Sequence, residues 1–321
     1  MSGECDRQSM RYSLSTRRHN QGVALITAVL ITAAIAIAAV AMAAQQNLDV
    51  RRTANIIDGD RSYVFALGVE SWAMQILMRD RRDNKTDNLH EDWASQLPPI
   101  TVEGAVVSGH IEDMQGRFNL NNLVKNGKVS ALDMQRFQRL LVILGLDPNL
   151  ADAVVDWIDP DSDITQPAGA EDPQYLRADV PYRAANRPFV SPSELLLVQG
   201  FSNDVYQKLE PFICALPART TINVNTAPKE VLMALADKIT EDDAQQLIDG
   251  RGDKGYATLQ DFLQHKALAG RGVKQEGLSV ATDYFLLDAT TKFDRAQTHL
   301  YSLLARSDTG IKVLYRGQGA F

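Results

Sequence analysis

The spacing of hydrophobic residues changes character three times along this chain. From Val23 to Ala44 there is no charged side chain, and the polar ones are Thr27 and Thr32. Wound as an α-helix, this stretch rises about 33 Å, enough to cross a hydrocarbon layer of about 30 Å. Beyond it the apolar residues Ile57, Val64, Leu67, Met74 and Leu77 recur at steps of three and seven. Arg51, Arg52, Asp58, Asp60 and Arg61 supply the polar side, which is the pattern of an amphipathic helix. The spacing predicts one helix over about 23–82, half in a membrane and half packed on a domain. "DRRDNKTDN" (80–88) ends it, and Pro98 and Pro99 close a linker over 45–98.

The period then shortens. "ITVEGAVVSGHIEDMQGRFNLN" (100–121) alternates and carries glycines, which reads as two or three short strands. "TDYFLLDATTKFDRAQTHLYSLLARSDTGIKVLYRG" (282–317) reads the same way. Between them, 130–278 is helical in pattern. The expectation is an α+β fold. A long helix packs on an antiparallel sheet built from 99–129 and 281–321, and an all-α insertion over 130–280 interrupts that sheet. Strands on either side of an insertion can still pair, provided its ends lie close together.

The insertion repeats itself weakly. "LLVILGLDPNLADAVVDWID" (140–159) and "VLMALADKITEDDAQQLIDG" (231–250) share a helix, tight turn, helix outline. Each is followed by a similar phrase, "FVSPSELLLVQGF" (189–201) and "YATLQDFLQHKAL" (256–268). The reading is two bundles of helix-hairpin-helix or SAM-like form, over 130–217 and 218–280. "TINVNTAPKEVL" (221–232) opens the second, with Asn225 or Thr226 expected to cap a helix entered through Pro228.

Charge and composition narrow the function. Helix-hairpin-helix units often bind nucleic acid, which demands basic faces. The chain carries a net −7, and residues 131–280 hold 14 Lys and Arg against 22 Asp and Glu. A nucleic-acid partner is therefore excluded. The cysteines are Cys5, before the apolar run, and Cys214. Loss of the N-terminal segment leaves one thiol, so neither a disulfide nor a multi-cysteine zinc site is available.

Arg7, Arg11, Arg17 and Arg18 precede the apolar run, against Glu4 and Asp6. This asymmetry keeps the N-terminus in the cytoplasm and exports the bulk. Three fates are open to such a segment. Secretory cleavage would fall near "AMAA" (41–44). An uncleaved run would be a plain anchor. The third is cleavage after Gly22, a small residue between the basic stretch and the apolar helix, where prepilin peptidases cut. That route removes 1–22 and leaves the helix attached, with Val23 as the new N-terminus.

One loop carries candidate chemistry. The join after the first hairpin is "DPDSDITQPAGAEDPQYLRADVPYRAANRP" (159–188), against "GRGDKG" (250–255) in the second copy. Long loops in compact domains carry function or disorder. Asp159, Asp161 and Asp163 alternate, and Glu171 and Asp172 return after a Pro-Ala-Gly turn. Carboxylates so close repel one another unless a cation sits among them. Calcium takes six to eight oxygen ligands and tolerates irregular loops. The start resembles half an EF-hand, without its glycine at position six or its Glu at position twelve. A solvated acidic turn and a catalytic carboxylate pair are the other readings.

These residues together carry a resemblance. "GVALITAVL" looks like a type IV pilin-like leader and helix. "ADAVVDWIDPDSD", "GAED", "PYRAANRPF", "SELLLVQGF" and "INVNTAPKEVL" are similar to the K-type minor pseudopilins of the type II secretion system, the general secretion pathway protein K family. Pilin-like proteins usually place Glu fifth after the cleavage point; here that residue is Thr27, a departure the K-type family shares. The resemblance implies a pilin-like fold and calcium in the insertion. It implies partnership with I- and J-type minor pseudopilins at a pseudopilus tip, with the helix around Ile57, Val64 and Leu67 as the partner face. It also implies processing by prepilin peptidase, a single-pass position in the bacterial inner membrane with the bulk in the periplasm, and no enzymatic activity. Secreted cargo or the outer-membrane channel would face the insertion. The alternative class is an anchored, exported calcium-dependent hydrolase.

Overall fold

The computed structural model describes residues 20–319, with side chains from Gly22. The basic residues of the leader, Arg7 to Arg18, lie outside the described residues. Helix α1 runs from Asn20 to Asp83, passing Gly22 and Val23 without a break. Its apolar part is long enough to cross a membrane, and its side chains there are exposed. Thr27 sits in this run without an unpaired hydroxyl, since its Oγ1 donates to the carbonyls of Val23 and Ala24, each at 3.0 Å.

The chain divides into two units, one up to Asp58 and a compact one from Gly59 onward. Within the compact unit α1 buries one stripe, Ser62, Ala66, Val69, Glu70, Ala73 and Leu77, at the three- and four-residue steps of a helix face. Two of the six are alanines, which lets the helix lie close to the sheet. The sheet-facing stripe thus differs from the apolar set read from the sequence. Leu77 belongs to both, Leu67 and Met74 are partly buried beside the stripe, and Val64 points to solvent at 64% exposure.

Five antiparallel strands form the sheet: β1 (Leu97–Val102), β2 (Ala105–Asp113), β3 (Tyr284–Phe293), β4 (Ala296–Ser307) and β5 (Gly310–Gln318). Their order across the sheet is their order in the chain. β2 and β3 are direct neighbours, with Ala105 opposite Phe293 and Asp113 opposite Phe285. The insertion therefore leaves and re-enters at one end of one strand pair. This geometry explains how some 170 residues interrupt the sheet without breaking its pairing; the sequence pattern begins the interruption at 130, whereas the strand before it ends at Asp113. Val107, Ile111, Phe285, Leu287, Ala289, Leu300 and Leu304 cover the stripe on α1. Pro98 and Pro99 lie on the edge strand β1, the place where proline is tolerated.

The insertion is helical, as its pattern predicts. Helices α2 (Ala131–Ile143) and α3 (Leu150–Ile158) form the first hairpin. A single turn, α4 (Asp172–Tyr175), and α5 (Asn203–Leu209) follow. Helices α6 (Lys229–Met233) and α7 (Glu241–Arg251) form the second hairpin, and α8 (Leu259–Leu263) completes the group. One apolar core runs through both groups, from Phe137, Val154 and Trp157 to Leu232, Leu247 and Phe262. Two-residue parallel bridges, 118–119 with 213–214 and 222–223 with 278–279, stitch the ends together; no periodic pattern foretells them.

The cap expected at Asn225 or Thr226 is not there. Pro228 occupies the N-cap of α6. Asn225 instead brackets the backbone of Tyr256, accepting from its N–H at 2.7 Å and donating to its carbonyl at 3.1 Å. Thr226 Oγ1 donates to Asp113 at 2.6 Å. In a buried segment, both side chains serve long-range backbone and carboxylate partners ahead of the local helix end.

Candidate functional site

Helix α3 presents acids on the face that meets the loop. Asp152, Asp156 and Asp159 fall at steps of four and three, and all are buried. The loop folds back over them. Thr165 N–H donates to both oxygens of Asp156, at 3.1 and 3.2 Å, and Ala168 N–H donates to Asp152 at 3.1 Å. Gly169 is the pivot: a Cβ there would stand 2.1 Å from Asp156 Oδ2 and 2.4 Å from the Thr165 carbonyl. Only a residue without a side chain passes this close.

Glu171 follows two residues later and is 1% exposed, with Asp159 at 6%. Four oxygens here are buried without a well-formed hydrogen bond: Asp159 Oδ1, Asn186 Oδ1 and both Oε atoms of Glu171, whose carboxylate meets only the backbone N–H groups of its own helix turn. Asn186 closes the loop from its far end, in a left-handed conformation at φ 45°, with its Nδ2 donating to the Asp161 carbonyl at 3.3 Å. A buried acceptor without a donor costs about 1–3 kcal/mol, more when charged. Acceptors of this kind make the loop the candidate site for a cation.

The electrostatics agree. Burial, then the charges of Asp161 and Asp156, push Asp159 up to about 7. Burial, then Asp156 and Asp159, push Glu171 up to about 7. Burial also raises Asp152 and Asp156.

The five acids predicted from the sequence take different places. Asp159 and Glu171 point unpaired oxygens inward. Asp161 and Asp163 are exposed on the rim, where Asp161 Oδ1 accepts from Asp163 N–H at 2.9 Å. Asp172 is engaged elsewhere: it accepts from Ala184 N–H at 3.1 Å and pairs with Arg183 at 3.5 Å. Among the described residues, no three of the loop acids bring ligand oxygens within 4.8 Å of one another; the trio that does is Asp80, Asp87 and Glu91, and Arg306 fills it. Sequence reading missed Asn186, whose signal was a lone Asn in the left-handed region, and Asp156, whose signal was its helical step to Asp159. The donor set is all oxygen, which suits calcium and not zinc or copper.

The predicted partner helix has a separate geometry. Ile57 is 45% exposed, in the unit before Gly59, and Val64 is exposed on the side away from the sheet. Leu67 is partly buried against the sheet. Gly22 and Val23 are exposed on α1, with open space around Gly22.

A long apolar-to-amphipathic helix laid on an antiparallel sheet defines a pilin-like subunit, and the helical insertion between two neighbouring strands sets it apart from a plain one. The sequence profile of type II secretion system protein K matches 116–218 and 222–281. The chain is 36% identical over 315 residues to type II secretion system protein K of Pseudomonas aeruginosa, covering 94% of both chains. It is 31% identical to the protein of that name from Klebsiella pneumoniae, over 94% of this chain and 98% of that one. The chain belongs to the type II secretion system protein K family. Its fold is also similar to a chain in the crystal structure of the GspK–GspI–GspJ complex of enterotoxigenic Escherichia coli, with a TM-score of 0.75, 29% identity, and coverage of 84% of this chain and all of that one.

Proposed function

We propose that this chain is a non-enzymatic minor pseudopilin that caps the tip of the secretion pseudopilus. It assembles there with I- and J-type partners. The observation that carries the reading is the family membership joined to the fold's likeness to a chain crystallised with GspI and GspJ. The N-terminal helix anchors it in the inner membrane, with the bulk in the periplasm, after prepilin peptidase cuts behind Gly22.

Three features support a capping position. Thr27 satisfies its own hydroxyl inside the helix, so it needs no charged partner from a neighbouring subunit. A carboxylate there would need one. The insertion stands on one end of the sheet and obstructs stacking on that side. Val64 leaves an exposed apolar side chain on the part of α1 within the compact unit, free for other helices. Asp159, Glu171 and Asn186, with Asp161 and Asp163 at the rim, would hold calcium. The bound ion would satisfy the buried oxygens and brace the loop. The test is assembly: the full chain in detergent, mixed with its I- and J-type partners, forms a stable heteromeric complex and no homopolymer. Homopolymers, or a folded chain that binds neither partner, would overturn the proposal.

A further inference from the structure

The two connections between sheet and insertion pass through one buried polar cluster. At the exit, Asp113 accepts from Gln115 N–H at 2.7 Å, Asn223 Nδ2 at 2.8 Å, Thr226 Oγ1 at 2.6 Å and Thr282 Oγ1 at 2.5 Å. At the return, Thr282 N–H donates to Asp87 at 2.8 Å, and its carbonyl accepts from Arg306 at 2.7 Å. Arg306 lies 4.7 Å over the Phe285 ring, is buried, and reaches Asp80 at 2.7 Å and both oxygens of Asp87 at 2.6 Å.

The charges in this joint do not balance. Asp80 from α1, with Asp87 and Glu91 from the segment after it, bring their carboxylate oxygens within 4.8 Å of one another. The cation between them is Arg306 from β4. Glu91 is held by Asn84, by Asn88 and by Trp93 Nε1 at 2.6 Å, none of which carries charge. The remaining ions, Arg79 with Asp92, Arg81 with Asp308 and His90 with Asp253, pair with each other on the rim. Three carboxylates around one guanidinium leave two negative charges in excess in a poorly solvated place, which is costly.

We propose that Asp80 takes up a proton beside the Arg306–Asp87 pair, and that this proton locks the joint between the pilin body and the insertion. The joint is then tight in mildly acidic solution and looser as pH rises. Asp80 is pushed up to about 6, by burial first and by the charge of Asp87 second, and Glu91 up to about 7, by burial first. A carboxyl raised on folding adds stability below its unfolded value and loses it as pH rises through the folded value, here about 6.

The test is hydrogen–deuterium exchange on the full chain in detergent at pH 5.5 and 8, corrected for the intrinsic rate. Saturating calcium keeps Asp159 and Glu171 from titrating alongside. Segments 80–91, 113–118 and 279–284 are expected to be at least roughly fourfold more protected at pH 5.5, the share of a carboxyl near 6, with Glu91 near 7 adding to it. Asp80→Asn copies the protonated form and should raise protection at pH 8 and shrink the pH response to the part Glu91 supplies, while Asp308→Asn on the rim keeps the wild-type response. Equal protection of the wild-type joint at both pH values would overturn the proposal. So would an Asp80→Asn variant that keeps the wild-type pH response. Should Asp80→Asn fail to fold, the wild-type comparison still decides.

Discussion

Single atoms decide what the acidic loop can do. Asp159 and Glu171 keep oxygens buried and unpaired, so a cation is worth more to them than to the exposed Asp161 and Asp163. Glu171→Gln is therefore expected to cost more calcium affinity than Asp163→Asn, and Asn186→Ala to weaken binding although no charge is lost. Calorimetric titration of the three variants checks the order. With calcium at a hundred times its dissociation constant, linkage adds about 2.7 kcal/mol of stability, so chelator should lower the melting temperature of the wild type and do so less for Glu171→Gln. The pH dependence has a definite sign. Calcium needs the ionised carboxylates, and without it both sit at about 7. Affinity should fall roughly ten- to a hundredfold between pH 8 and 6; a constant affinity over that range would contradict the ligand assignment. Gly169→Ala should destabilise the loop by about 1–3 kcal/mol, since the added carbon meets Asp156 and backbone.

Among the elements, α1 buries one face on the sheet and exposes the other, which is proposed to meet partners, and substitutions should separate the two. Leu77 is fully buried against the sheet, so Leu77→Ala should cost about 2–5 kcal/mol in an unfolding titration. Val64→Asp should leave that stability nearly unchanged and weaken assembly with partners, because it places a carboxylate in an apolar contact. Leu67→Asp would mix both effects, since Leu67 also touches the sheet. The helix itself was legible because 22 uncharged residues and a repeating apolar step leave few alternatives. Its sheet-facing stripe was less so: Ala66 and Ala73 carry little hydrophobic signal, yet their small size sets the closeness of helix and sheet. The strands were legible from alternation. The two-residue bridges were not, because each rests on backbone pairing between segments about a hundred or fewer residues apart and leaves no periodic trace. Asn225 and Thr226 misled for a related reason. Their residue types fit a helix cap, and the partners that claimed them, Tyr256 and Asp113, are distant in sequence.

For the whole molecule, the insertion is tolerated because Asp113 and Phe285 face each other across β2 and β3. Under the proposed capping role, it would set the subunit apart from a repeating one. If the chain is processed behind Gly22 as proposed, Gly22→Val should block cleavage by prepilin peptidase, leaving a heavier precursor by mass spectrometry, since a branched side chain fills the scissile position. The capping role is tested most directly by where the chain sits in assembled pseudopili. Gold labelling of an epitope in the exposed 252–254 turn, viewed by electron microscopy on isolated filaments, is expected to mark one end of each filament and nothing along its length. Label distributed along the shaft would contradict a cap and make the chain an ordinary filament subunit.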